Sequence, residues 1–469
     1  MQMNIALSRL VGEELEDCHE KWRATVAAPN GSIYGIPWEA PRVAKFNPVD
    51  ESITHIGPDF NDNDDNDDDG YDYRYDLHDP GKWYKGAITE SGVIYCPPNN
   101  RHRGILKIDT NTDDVTELNR NLLPEQGGCM WESCAAALDG CIYFMPRVAR
   151  RIMKLDPNNN DAMSCVGDNL GIFKFMESRT LIGIDGCVYG LFCEADCIVK
   201  YDPINDITSF IGDVHLNNHG GAMGIDGCIY ALGKNNQVLK IDTTNNTNCF
   251  VGNRVDLVDH YDQKRHQEGW GDAILGIDGC IYWPPGKASR ILKYDPHTDQ
   301  TLLVGDEYGN MSIFYKSWCD GALAPDGVIY CFPSNRNHIL SIDPLKELSM
   351  ALENKIEQHP QEFGFLFQKI REKEEENPSP IQTNFDHAVI KFGQEKVLEV
   401  LDEHMEPVQV FCKGSNLCSF MIVASSKEST VSAIHHFLRP DLSWVACIRA
   451  LQADNVQVLT EKKRKHNSI

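Results

Sequence analysis

One unit occurs seven times in this chain, and the common register of its copies restricts the fold more than any other property. Its clearest copy is WGDAILGIDGCIYWPPGKASRILKYDPHTDQTLLVG, running from Trp270 to Gly305. Two marks set the register: Asp-Gly, or Asn-Gly or Ser-Gly, before a branched apolar residue and Tyr, then a Lys-apolar-Asp-Pro stretch further on. The turn glycines are Gly31, Gly92, Gly140, Gly186, Gly227, Gly279 and Gly327. The tyrosines Tyr34, Tyr95, Tyr143, Tyr189, Tyr230, Tyr282 and Tyr330 follow them with no copy missing.

Each copy holds four short apolar runs divided by turn residues, the pattern of a four-stranded antiparallel sheet rather than of helices. In the sixth copy the strands read as Asp272 to Ile277, Cys280 to Trp283, Ile291 to Tyr294 and Leu302 to Val304. Asp278-Gly279 supplies the positive φ of a tight hairpin, and Asp295-Pro296 presets a type I turn. Seven such sheets set radially make an all-β, seven-bladed propeller over residues 1–344.

The seventh copy lacks a fourth strand after Ile342-Asp343-Pro344. Leu10-Val11-Gly12-Glu13 matches Leu303-Val304-Gly305-Asp306, so the N-terminal residues are expected to complete the last blade and close the ring without an open edge. Tryptophan stands nine residues before the turn glycine in five copies (Trp22, Trp83, Trp131, Trp270 and Trp318) and reads as packing between blades. Three residues later every copy is small: Thr25, Gly86, Cys134, Thr180, Gly221, Ala273 and Gly321, as expected of innermost strands crowding toward an axis.

Beyond Leu345 the period changes. Residues 345–450 read as a small α-helical domain, with helices at Leu345 to Gln358, Glu362 to Glu376, Phe385 to His404, Leu417 to Ala424 and Thr430 to Leu438. Residues 451–469 read as a disordered basic tail, whose Lys462-Lys463-Arg464-Lys465 is similar to a nuclear-import signal. A cytoplasmic location is otherwise expected, since no segment suits secretion or a membrane span.

A formal charge of -25 speaks against nonspecific binding to nucleic acid or to an anionic membrane. Cys141, Cys187, Cys228 and Cys280 recur at one place, just after the turn, and read as small buried hydrophobes rather than as disulfide halves. The acidic stretch Asp59 to Asp79 contains Asp65, Asp67, Asp69, Gly70 and Asp76 at the spacing of a calcium loop. The stretch otherwise reads as a solubilising, disordered insertion, with an electrostatic gate over the basic loops on the same face as the sharper alternative.

The blade unit, DGCIYWPP followed by ILKYDP and LLVG, resembles the repeats of seven-bladed propellers of the NHL and virginiamycin B lyase type, and is similar to propeller repeat proteins of microalgae. It lacks the paired motifs of WD40 and kelch repeats. The stretch Leu417 to Leu442 is similar to one degenerate ankyrin unit.

Chemistry is expected near the start of the innermost strands, where the first two residues after the Trp position give Arg23, Lys85, Glu132, Arg179, His219, Asp272 and Asp320. The loops between second and third strands add Arg42, Arg101, Arg103, Arg147, Arg150, Arg151, Lys234, Lys287, Arg290 and Arg336, against only Glu39, Glu194 and Asp196. A basic rim in an acidic chain suits an acidic protein partner. The expected function is a monomeric, non-enzymatic interaction scaffold with no cofactor. The resemblance to lyases and lactonases supplies the alternative, a metal-dependent lyase or hydrolase using Glu132, His219, Asp272 and Asp320.

Overall fold

The computed structural model describes residues 7–15, 20–61, 81–99, 103–119, 121, 123–124, 130–171, 176–193, 197–212, 214, 216, 220–233, 236–255, 269–309 and 316–344. It also describes the backbone of 405–412, 419–425, 431–437 and 456–459.

Seven four-stranded antiparallel sheets form the blades of a propeller. Their innermost strands are Trp22–Ala27, Ala87–Ile88, Trp131–Ala136, Met176–Ile182, Ala222–Met223, Ile274–Leu275 and Ala322–Leu323. The sixth blade continues through Ile281–Trp283, Ile291–Asp295 and Gln300–Val304. Its innermost strand is shorter than the periodicity predicts, because Trp270 pairs with Pro285 only as an isolated bridge and the chain between leaves the ladder. The second and seventh blades break at the same place, at Trp83 with Pro98 and Trp318 with Pro333.

The repeated Asp, Tyr and Lys prove to be one device. In the first six blades Tyr stands opposite Lys on the third strand, as Tyr143 does opposite Lys154 and Tyr282 opposite Lys293, while Tyr330 of the seventh faces Ser341. The turn Asp then accepts from both: Tyr282 Oη donates to Asp278 at 2.8 Å and Lys293 Nζ lies 3.1 Å away. The Asp278 carboxylate also accepts the amide of Cys280 at 3.2 Å, which fixes the turn. In the first two blades the turn holds Asn30 or Ser91, and the carboxylate comes from the next blade instead. Tyr34 and Lys45 meet Asp113 of blade two at 3.2 and 2.7 Å, and Tyr95 and Lys107 meet Asp161 of blade three at 2.6 and 2.5 Å. Replacing Asp278 with Ala removes an acceptor from a buried hydroxyl and from an ammonium, and is expected to lower stability by about 1–3 kcal/mol. Urea denaturation of the variant measures this directly.

The core is divided into wedges. Seven apolar clusters each lie between neighbouring blades and hold the tyrosine of one blade; five also hold the tryptophan of the next, as Tyr34 and Trp83 do between blades one and two. Each of those indoles donates Nε1–H into the loop after the second strand of its own blade, Trp22 to Arg42 O at 3.3 Å and Trp270 to Arg290 O at 2.9 Å among them. The tryptophan therefore packs the wedge and anchors the rim loop together. Cys141, Cys187, Cys228 and Cys280 are buried free thiols, and burial pushes Cys141 up to about 11 and Cys187 and Cys228 up to about 12.

The last blade takes its fourth strand from the N-terminus. Ser8–Val11 runs antiparallel to Ile339–Ile342, with Ser8 opposite Ile342 and Val11 opposite Ile339. Ser8 Oγ accepts from Tyr308 Oη at 2.7 Å and from the Asp306 amide at 3.3 Å, and Leu7 and Val11 are buried. At the inner side of the junction, the Phe332 amide of blade seven donates to Thr25 Oγ1 of blade one at 3.0 Å.

The C-terminal expectations need correction. Leu417 to Ala424 and Thr430 to Leu438 are not helices: Ser419–Ser425 and Val431–Phe437 are strands, joined by Met405–Cys412 and Val456–Leu459 in one antiparallel sheet. Short apolar runs do not separate helix from strand by periodicity. Here the β-branched Ile422, Val423, Val431 and Ile434 favour the pleated form. The described residues of the ankyrin-like stretch are accordingly strand, and Val456–Leu459 is a strand in the tail where disorder is predicted. The three earlier helices expected between residues 345 and 404 lie outside the described residues, as do Lys462 to Lys465.

Candidate functional site

Where the innermost strands of blades two, six and seven leave their ladders, the freed residues turn inward. Lys85, Asp272 and Asp320 occupy the second position after the Trp in these blades, and Arg179 is its equivalent in blade four. The four side chains meet. Lys85 Nζ pairs with Asp272 and lies 3.5 Å from Asp320 Oδ2. Arg179 Nη1 reaches both carboxylates, at 3.1 Å from Asp272 Oδ2 and 2.8 Å from Asp320 Oδ1.

Backbone contacts fix the carboxylates. The Gly220 amide of blade five donates to Asp272 Oδ1 at 2.9 Å. The innermost segments also bond to one another, Asp272 N to Cys319 O at 2.9 Å and Ala273 N to Gly220 O at 3.2 Å. Glycine is required at two of these approaches. A Cβ on Gly271 would stand 2.6 Å from the Cys319 carbonyl oxygen, and one on Gly220 would stand 2.7 Å from Arg179 Cβ.

The cluster is electrically balanced, two cations against two carboxylates. Burial favours neutral Asp272, but the charges of Lys85 and Arg179 outweigh it and hold the carboxyl well below the usual range. Burial likewise pulls Lys85 down, and Asp272 and Asp320 more than restore it, so the ammonium persists above its ordinary value. Arg179 is raised by the same carboxylates against the same burial.

The first position after the Trp behaves differently. Arg23 and Glu132 sit at β-bulges, between Trp22 and Ala24 and between Trp131 and Ser133, which re-aim their side chains. Arg23 lies over the Trp38 ring at 4.1 Å and pairs with Glu20 at 2.8 Å. Glu132 is buried, with Arg147 Nη1 3.6 Å away. His219 lies outside the described residues. Of the three acids and one histidine proposed for a metal, the structure brings together Asp272 and Asp320, and it commits both to Lys85 and Arg179. Among the described residues no group of three or more His, Cys, Asp or Glu is placed to share a metal ion. The calcium-spaced Asp65, Asp67, Asp69 and Asp76 are not among those residues, nor are Arg101 and Lys234.

The basic rim divides in two. Arg103, Arg290 and Arg336 turn back to carbonyls: Arg103 Nη2 to Phe60 O, Arg290 Nη2 to Gly305 O at 3.0 Å, and Arg336 Nη2 to Tyr308 O at 2.6 Å. These three hold the loops that leave the outermost strands. Arg42, Arg150 and Arg151 are exposed. Arg150 and Arg151 belong to a short loop with Arg147 and with Val148, which is 48% exposed. That loop is rigidly held: the amides of Arg147, Val148 and Ala149 all point at the Met130 carbonyl, at 2.9 to 3.3 Å, and Trp131 Nε1 donates to Arg151 O at 3.0 Å. The same tryptophan begins the innermost strand, so the loop and the channel mouth share one face.

No family model matches the chain, and no curated protein is similar to it in sequence. Solved structures do resemble it. A streptogramin B lyase is 14% identical, with a TM-score of 0.53 over 71% of this chain and 97% of its own. Virginiamycin B lyase from Staphylococcus aureus is 12% identical, with a TM-score of 0.54 over 71% and 98%. The extracellular domain of a putative hybrid two-component system from B. thetaiotaomicron is 9% identical, with a TM-score of 0.51 over 71% of this chain and 42% of its own. The chain thus has a seven-bladed propeller fold like that of virginiamycin B lyase, and at these identities the likeness is one of fold. Among the described residues no helix is long and apolar enough to cross a membrane.

Proposed function

We propose that this propeller is a non-enzymatic binding platform that takes an acidic protein segment on the face carrying the loops between second and third strands. The observation that carries this reading is the blade-three loop, in which Arg150 and Arg151 are exposed beside Val148 on a backbone fixed by Met130 and Trp131. Two guanidiniums and an apolar contact held in one place suit a segment of Asp or Glu next to an apolar residue. The mutual neutralisation of Lys85, Arg179, Asp272 and Asp320 supports binding over metal-dependent lyase or hydrolase chemistry, because those carboxylates already have cations.

The test is fluorescence anisotropy with a labelled peptide of alternating Glu, Asp and Leu. Replacing Arg150 and Arg151 together with Ala should weaken binding roughly fivefold or more at low salt, since exposed charge pairs contribute up to about 1 kcal/mol each. The difference should shrink as salt rises. Undetectable binding to the full protein, or binding that ignores both salt and the double replacement, would end the reading.

A further inference from the structure

Arg179 is held by one nitrogen. Nη1 carries every hydrogen bond and ion pair that the guanidinium makes among the described residues, to Asp272 Oδ2 at 3.1 Å and to Asp320 Oδ1 at 2.8 Å. Nε and Nη2 form the opposite edge of the group, the edge that meets a carboxylate with two parallel N–H···O bonds. The Arg179 side chain is also the most accessible of the four at the axis, 22% exposed against 8% for Lys85, 11% for Asp272 and 5% for Asp320. Its stem is laid against Gly220, where no other residue leaves room. The guanidinium is therefore oriented before any ligand arrives, and among the described residues its two-donor edge carries no hydrogen bond.

The surroundings leave no net negative charge there. Asp272 and Asp320 are offset by Lys85 and Arg179 together, and Asp272 also accepts the Gly220 amide. From this geometry we propose that Arg179 is a carboxylate receptor at the channel mouth, binding an acidic group through Nε and Nη2. It deepens the platform reading and rests on it: the carboxylate is the side chain of an Asp or Glu in the docked segment, and a free small carboxylic acid is the other source of the same chemistry.

Arg179→Lys keeps a cation near Asp272 and Asp320 but has no two-donor edge. With the acidic peptide, that variant should bind about tenfold more weakly than the full protein, the loss of one charge-assisted hydrogen bond. If the peptide binds both forms equally while the Arg150 and Arg151 double replacement weakens it, the receptor role of Arg179 is overturned and the platform stands. If the peptide binds neither, titration calorimetry with glutarate decides. Glutarate binding that Arg179→Lys abolishes supports the receptor and assigns it to a free acid, against the platform; no binding of glutarate overturns both. Should Arg179→Lys fail to fold, crystals of the unaltered protein grown in glutarate give the answer. A carboxylate within hydrogen-bond distance of Nε and Nη2 supports the receptor, and bare nitrogens at saturating glutarate overturn it.

Discussion

Removing residues 1–13 should lower the melting temperature on the order of 10 °C, the largest effect expected of any short truncation in the ring. The deletion takes the fourth strand from blade seven, exposing the edge of Ile339–Ile342 and uncovering the wedges on both sides. Leu7 and Val11 leave buried sites, which costs about 3–6 kcal/mol for the two side chains. The Asp343 amide also loses the Leu7 carbonyl it meets at 2.9 Å. Scanning calorimetry on the truncated protein is the check. A melting temperature within about 2 °C of the full chain would show that the strand closes nothing of consequence.

Asp272→Asn should be nearly as damaging, at about 3–5 kcal/mol, because it leaves Lys85 buried beside a single carboxylate 3.5 Å away. The pH dependence gives the replacement a signature. Folded Asp272 titrates below the unfolded carboxyl, so its contribution is complete above about pH 4 and drains away as pH falls toward the folded value. Folded Lys85 titrates above the unfolded amine, so its share is complete below about pH 10 and is lost only as pH rises past the folded value. The gap between the two proteins in urea denaturation should thus be full near neutrality and narrow in acid. A gap that stays constant down to pH 2 would remove Asp272 from the charged network.

The fold was readable because its marks are local. A turn glycine, the tyrosine three residues on and an alternating strand report on one hairpin each, and seven copies repeat the message. Closure was readable for the same reason, since Leu10 to Glu13 keeps the wording of a fourth strand. The axial cluster was readable only as a set of candidates. Lys85, Arg179, Asp272 and Asp320 share a register position, yet their meeting depends on breaks in the innermost strands at Trp83, Trp270 and Trp318 that no spacing announces. Gly220, which supplies an amide to Asp272, carries no side chain to draw notice. Counting basic residues also overstated the rim, because Arg103, Arg290 and Arg336 spend their donors on carbonyls of adjoining loops. The signal available was the loop carbonyl opposite each of them, which exists only after folding. At the C-terminus, Ser419–Ser425 misled for a physical reason: an apolar run without turn residues fits a helix or a strand until something pairs with it.

The borrowed carboxylates of the first two blades bear on how such a ring can evolve. A blade that supplies its own Asp, as blades three to six do, is a transferable part: duplicated, deleted or exchanged, it brings its tyrosine, lysine and acceptor with it. Blades one and two are not transferable in that sense. Tyr34 and Lys45 need Asp113, and Tyr95 and Lys107 need Asp161, so each is complete only in front of one particular successor. For this device residues 20–166 therefore form one block, complete only when its three blades stand in this order, whereas blades three to six each carry their own acceptor.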